Sequence, residues 1–162
     1  PTAIPGQEPA FVAFGTPTTW LLGLHYDKPQ VEQAVYGYSK IQTSFVGPEC
    51  NFHVHWTKAV DTDQSGKTGR WVLDYYVFNG TSQDVQVAPT QIFWDVTYLD
   101  NGTTSRIVYR TPNSANVATA PLQAGWYVGF KLSYDPNNTT LDGGPVVISC
   151  DILARQTINE GN

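Results

Sequence analysis

The residues best suited to chemistry are His53 and His55, which stand two apart in the run Phe52-His53-Val54-His55-Trp56-Thr57. Apolar Phe52, Val54 and Trp56 alternate with the two imidazoles and Thr57, and strict alternation of this kind marks a half-buried strand. Side chains two apart on a strand point to the same face, so both imidazoles can grip one cation. A catalytic metal site normally takes three protein ligands and keeps a position open. The chain after His55 reads Trp56-Thr57-Lys58-Ala59, the next glutamate is Glu160, and the remaining histidine is His25. Two readings stay open. In one, the imidazoles hydrogen-bond to backbone or neighbours on a polar face or subunit interface, and no cofactor is involved. In the other, three copies of the pair surround one metal ion at a trimer interface, giving an octahedral imidazole site.

A weaker cation candidate follows at Asp61-Thr62-Asp63-Gln64-Ser65-Gly66. Oxygen ligands at alternate positions and a glycine for the bend suit the first half of a calcium loop. The twelfth position, where a closing bidentate carboxylate belongs, is Val72. A solvated connecting loop is therefore expected, with Asp61 and Asp63 as a cation pair that a partner would have to complete. The sequence offers no Gly-flanked nucleophilic serine, phosphate loop or carboxylate pair at a defined spacing. A non-enzymatic protein is the expectation.

The elements that position these residues read as strands. In the run from Arg70 to Phe78, Trp71, Leu73, Tyr75 and Val77 share one face and Val72, Asp74, Tyr76 and Phe78 the other. Both faces are largely apolar, which places this strand inside a sheet. Trp20 to Tyr26 reads as a short strand. Val35 to Val46 reads as a single strand with Tyr36, Tyr38 and Lys40 outward, where exposed tyrosines can bind sugars or partners. Gln91–Leu99 and Ser105–Arg110 flank Asn101-Gly102, the strongest short-range signal for a hairpin. Gly125 to Tyr134 places Trp126, Val128, Phe130, Leu132 and Tyr134 on one side, and Pro145 to Ala154 closes the series. Trp56, Trp71, Trp94 and Trp126 are expected in the core. No helical period persists. Eight or nine strands separated by turn signals indicate an all-β, two-sheet β-sandwich that is jelly-roll-like. It is expected over residues 20–162. Residues 1–19, with prolines at 1, 5, 9 and 17, form an extended N-terminal arm, either an assembly arm or a segment docked on its own domain.

Composition narrows the function. At 162 residues one domain is expected. Charged residues are only 14% and net charge is −5, so Thr, Ser, Asn and Gln must cover much of the surface. Such surfaces suit packed assemblies and adhesion, where fixed charges would have to be desolvated on contact. Nine Lys and Arg, spread singly, build no phosphate-tracking stripe, so no nucleic acid is expected. The apolar runs are of strand length and too short for a membrane-spanning helix. Cys50 and Cys150 are expected as buried free thiols, the state favoured in a reducing cytoplasm.

The segment His53-Val54-His55-Trp56, a polar loop, then Arg70-Trp71-Val72-Leu73-Asp74-Tyr75 resembles a segment of tailed-bacteriophage virion proteins. There an H-x-H-W strand is followed by a Gly-containing loop and a W-x-L-x-Y strand. Val146 to Gln156 is similar to that family's C-terminal strand and Arg-containing tail. Asp74 stands where the family usually has Glu. The resemblance covers about 25 residues well and two thirds of the chain loosely. It implies a β-sandwich structural component of a virion, a head decoration, head fibre or tail fibre assembled in the host cytoplasm. The expected partners are further copies of itself as a trimer, other virion proteins and a host-surface glycan. Two alternatives stand. One is a secreted lectin-like, carbohydrate-binding sandwich, which the aromatics and the sequons at Asn79, Asn101, Asn137 and Asn138 also permit. The other is a cupin-like metal enzyme, although that family's glutamate after the His pair and its distant third histidine have no counterpart here.

Overall fold

The computed structural model describes residues 10–14, 21–27, 32–42, 45–79, 88–99, 107–114 and 125–156. They form nine strands: β1 (Ala10–Phe14), β2 (Leu21–His25), β3 (Gln33–Lys40), β4 (Phe45–Lys58), β5 (Thr68–Phe78), β6 (Thr90–Thr97), β7 (Tyr109–Arg110), β8 (Tyr127–Tyr134) and β9 (Pro145–Gln156). A single 3-10 turn at Pro136–Asn138 accompanies them, and the described residues contain no α-helix. One sheet has the order β1-β2-β9-β4-β7 and the other β3-β8-β5-β6. From the ends of the series inward, β2 lies beside β9, β3 beside β8, β4 beside β7 and β5 beside β6. A long antiparallel ribbon rolled over itself gives this nesting, which is the jelly-roll arrangement of a two-sheet sandwich. Within the expected arm, β1 pairs with β2 at the sheet's edge. Residues 1–9 and 15–20 lie outside the described residues.

Alternation sends one face of each strand into the sandwich. Phe52, Val54 and Trp56 of β4 are buried, as are Trp71, Leu73 and Tyr75 of β5 and Val128 and Leu132 of β8. Rings meet edge to face: Tyr26 with Trp71 at 5.2 Å, Trp71 with Tyr134 at 5.0 Å and Tyr98 with Tyr109 at 4.7 Å between centroids. Such pairs add about 0.5–1.5 kcal/mol each beyond the area they bury. As expected, β5 is interior to its sheet, with β8 and β6 on its two sides. Cys50 and Cys150 are free thiols. They do not face each other across the β4–β9 ladder, where Cys50 pairs with Ala154 and Cys150 with Val54.

Three expectations are corrected. Among the described residues, Gln91–Leu99 and Ser105–Arg110 do not pair as a hairpin: β6 pairs with β5, and β7 lies in the other sheet, paired with β4. The physical reason is Tyr109, whose ring packs on Trp56 at 5.5 Å as well as on Tyr98. Asn101 and Gly102 themselves lie outside the described residues. The single strand expected over Val35–Val46 is two. β3 ends at Lys40, buried Ile41 is tied to Trp126 and Gly125 by backbone hydrogen bonds of 2.7 and 2.9 Å, and β4 begins in the opposite sheet. Trp126, preceding β8, is only part-buried, whereas Trp56, Trp71 and Trp94 are in the core. The segment 80–87 lies outside the described residues.

Candidate functional site

Two outward faces gather polar and aromatic chemistry, one on each sheet. On β4, His53 and His55 lie opposite Phe52, Val54 and Trp56 and so point away from the sandwich interior, which aromatic side chains fill. Across the β4–β9 ladder His53 pairs with Asp151 and His55 with Ser149, while Trp56 pairs with Val147. Ile148 is thereby an extra residue, a bulge that reverses which side chains of β9 face out. Val147 packs in the core, yet Ser149 and Asp151 join the imidazoles outside.

One carboxylate oxygen is the focus of this cluster. Asp151 Oδ2 stands 3.2 Å from His53 Nε2 and 3.1 Å from His55 Nδ1. Ser149 Oγ donates to the same oxygen at 3.1 Å and lies 3.0 Å from His55 Nδ1. His53 is 4% exposed, whereas His55 and Asp151 are part-exposed. Burial holds the His53 imidazole below its ordinary value, the nearby Arg110 charge acts the same way, and Asp151 opposes both. Neutral imidazole is the metal-ligating form. His53 Nδ1 is buried with no hydrogen-bond partner among the described residues. Arg110, opposite His55 on β7, donates from Nη2 to Asn113 Oδ1 at 2.5 Å.

The outer face of the other sheet is different in character. Tyr38 is 77% and Tyr36 60% exposed, as their outward placement requires. Across the strands, Tyr38 of β3, Gly129 of β8 and Tyr76 of β5 stand in one row, and Lys40, Tyr127 and Phe78 in the next. Phe78 stacks on Tyr127 at 5.3 Å and on Tyr76 at 5.5 Å. The Tyr76 ring lies over Gly129, where a Cβ would come within 2.7 Å of it. The result is a flat aromatic platform. Beside it runs a groove of about 440 Å³ lined by Glu32, Asp74, Gln91, Lys131, Arg70 and Phe93 among others. Its polar groups are held in place. Gln91 donates to Asp74 at 2.9 Å, Lys131 bonds Glu32, and Arg70 forks onto Asp95 at 2.7 and 3.0 Å while lying over the Phe93 ring.

Of the residues singled out from sequence, His53 and His55 are thus brought together with Asp151 and Ser149, and Tyr36 and Tyr38 share a face with Tyr76, Phe78 and Tyr127. Asp61 and Asp63 form no cluster of three metal-ligating groups among the described residues. Asp63 Oδ1 accepts from Ser65 N at 2.8 Å, closing its own turn. Buried Gln64 between them anchors the loop, giving Nε2 to Asp142 at 3.2 Å and accepting from Asp142 N at 2.9 Å. His25 donates to Gly143 O at 2.5 Å, a structural bond. Asp151 went unnoticed in the sequence because it is 98 residues from His53 (151 − 53) and the β9 bulge breaks the alternation around it. Tyr76 and Tyr127 carried a signal, each lying on the less buried face of its strand, but the pairing of β5 with β8 did not. Compared with known protein families, curated proteins and solved structures, the chain has no match.

Proposed function

We propose that this chain is a non-enzymatic structural component of a tailed-phage virion, a head-decoration, head-fibre or tail-fibre module whose β3-β8-β5-β6 face binds a host-surface glycan. The observation that carries the binding part is the juxtaposition of a stacked aromatic platform with a fixed polar groove. Sugar rings present flat apolar C–H faces and a rim of hydroxyls. The first suit aromatic rings, and the second suit carboxylate, amide and guanidinium groups already oriented by one another. Paired charges such as Arg70–Asp95 leave the groove without a strong net field, which fits a neutral ligand. The virion part rests on the sequence resemblance, on a fold shared by capsid and lectin domains, and on the sparse charge of the chain. The jelly roll alone does not select among its functions. Two free thiols fit assembly in a reducing cytoplasm better than secretion as a free-standing lectin. In this reading the modules pack as homotrimers and against other virion proteins.

The test is a glycan array probed with the wild-type chain and with Tyr38→Ala and Tyr76→Ala, together with the mass in solution. The reading expects a defined set of oligosaccharides bound by the wild type, at least tenfold weaker binding by both variants, and a trimeric mass. Silence across the array with a strictly monomeric mass refutes it.

A further inference from the structure

We propose that His53, His55 and Asp151 form a divalent transition-metal site of the zinc class, contained within one chain and open to solvent on the outer face of β4 and β9. Two imidazoles and a carboxylate are a recurrent donor set for zinc and its neighbours, with the remaining coordination positions left to water. Metal–ligand bonds of about 2.0–2.1 Å place adjacent ligand atoms roughly 2.8–3.0 Å apart at the corners of an octahedron and roughly 3.3–3.4 Å apart at those of a tetrahedron. The Asp151 Oδ2 contacts to His53 Nε2 and His55 Nδ1, at 3.2 and 3.1 Å, fall between these two edge lengths. All three donor atoms lie within 4.8 Å of one another.

Two further features point the same way. His53 is rigidly presented, buried at the centre of the β4–β9 ladder, so the first ligand is preorganised. Ser149 Oγ, bonded to the Asp151 carboxylate, orients that ligand from outside the set. The site lies on the opposite sheet from the aromatic platform, so it stands or falls independently of glycan binding. An ion here ties β4 to β9, joining segments 98 residues apart (151 − 53).

The experiment uses the full chain, stripped with a chelator and titrated with zinc chloride, and with cobalt chloride as a visible-absorption probe. The proposal expects one ion per chain, cobalt d–d bands, and a zinc-dependent rise in melting temperature. His55→Ala and the isosteric Asp151→Asn should each weaken binding at least tenfold, and His25→Gln should leave it unchanged. The apo forms of these variants are melted alongside, and because Asp151→Asn keeps the shape of the side chain, loss of binding in a folded Asp151→Asn is loss of a ligand. Absence of binding at millimolar metal overturns the proposal, as does equal affinity in the variants. A stoichiometry of one ion per three chains also overturns it, by placing the metal on a threefold axis instead.

Discussion

Replacing Trp71 by phenylalanine should cost far less than replacing it by alanine. Trp71 is fully buried in interior strand β5, pairing across the sheet with Trp94 and Tyr134. Its ring contacts Tyr26 and Tyr134 edge to face at 5.2 and 5.0 Å. Alanine removes all of this and leaves a cavity, a loss of about 3–5 kcal/mol. Phenylalanine keeps a ring against the same neighbours and gives up the equivalent of one or two methylenes, about 1–2 kcal/mol. It also removes the indole N–H, which is buried with no hydrogen-bond partner among the described residues. An unsatisfied buried donor costs about 1–3 kcal/mol, so its removal offsets most of the lost contact. W71F should therefore lie within about 1 kcal/mol of wild type. At about 2–4 °C per kcal/mol for a chain of this size, W71A should lower the melting midpoint by about 6–20 °C and W71F by only a few degrees. Urea denaturation followed by circular dichroism measures both, with an unchanged m-value as the check that the unfolded states are comparable. A W71F variant as destabilised as W71A would refute the reasoning, because it would mean that the ring kept by phenylalanine recovers none of the packing that alanine loses.

Gly129→Val places a side chain under the Tyr76 ring, whose far end would lie within 2.7 Å of the new Cβ. That exposed ring can swing aside, so the midpoint should move by only a few degrees while glycan affinity falls as far as in Tyr76→Ala; unchanged binding would exclude the platform as the site. Gly144→Ala should destabilise by about 1–3 kcal/mol. Its φ is +72° and a Cβ would meet the Tyr26 carbonyl oxygen at 1.9 Å, and a neutral result in denaturant melts would contradict this. Stability should also fall in alkali. Burial pushes the Cys50 thiol up to about 11 and the Tyr134 phenol up to about 12. The unfolded chain loses these protons first, so their contribution is full below about pH 9 and is lost as pH rises toward 12. A urea midpoint flat from pH 8 to 11 would refute it, and Cys50 should resist a thiol reagent at neutral pH until the chain unfolds.

The alternation of side chains was legible wherever one face of a strand packs into the sandwich interior. Phe52, Val54 and Trp56 against His53 and His55, and Val35 against exposed Tyr36 and Tyr38, are placed as period two demands. It failed where the chain changes sheets. Ile41 sits in a crossing between β3 and β4, and an uninterrupted period cannot report a change of partner. Asn101-Gly102 lies outside the described residues, and the packing of part-buried Tyr109 on Trp56 and Tyr98 holds β7 on the other sheet.

By itself the sequence determined the class of fold and the inward or outward sense of most strands, because side-chain direction is a property of each strand's own backbone. It also determined that two imidazoles share a face. Which third group they meet was decided only in three dimensions. Asp151 reaches them because β9 docks beside β4 in one register and a bulge at Ile148 turns its carboxylate outward. The aromatic platform likewise exists only because β8 lies between β3 and β5 and sets Gly129 between Tyr38 and Tyr76. Strand partnership is set by packing between residues far apart in the chain, and no local pattern of residues encodes it.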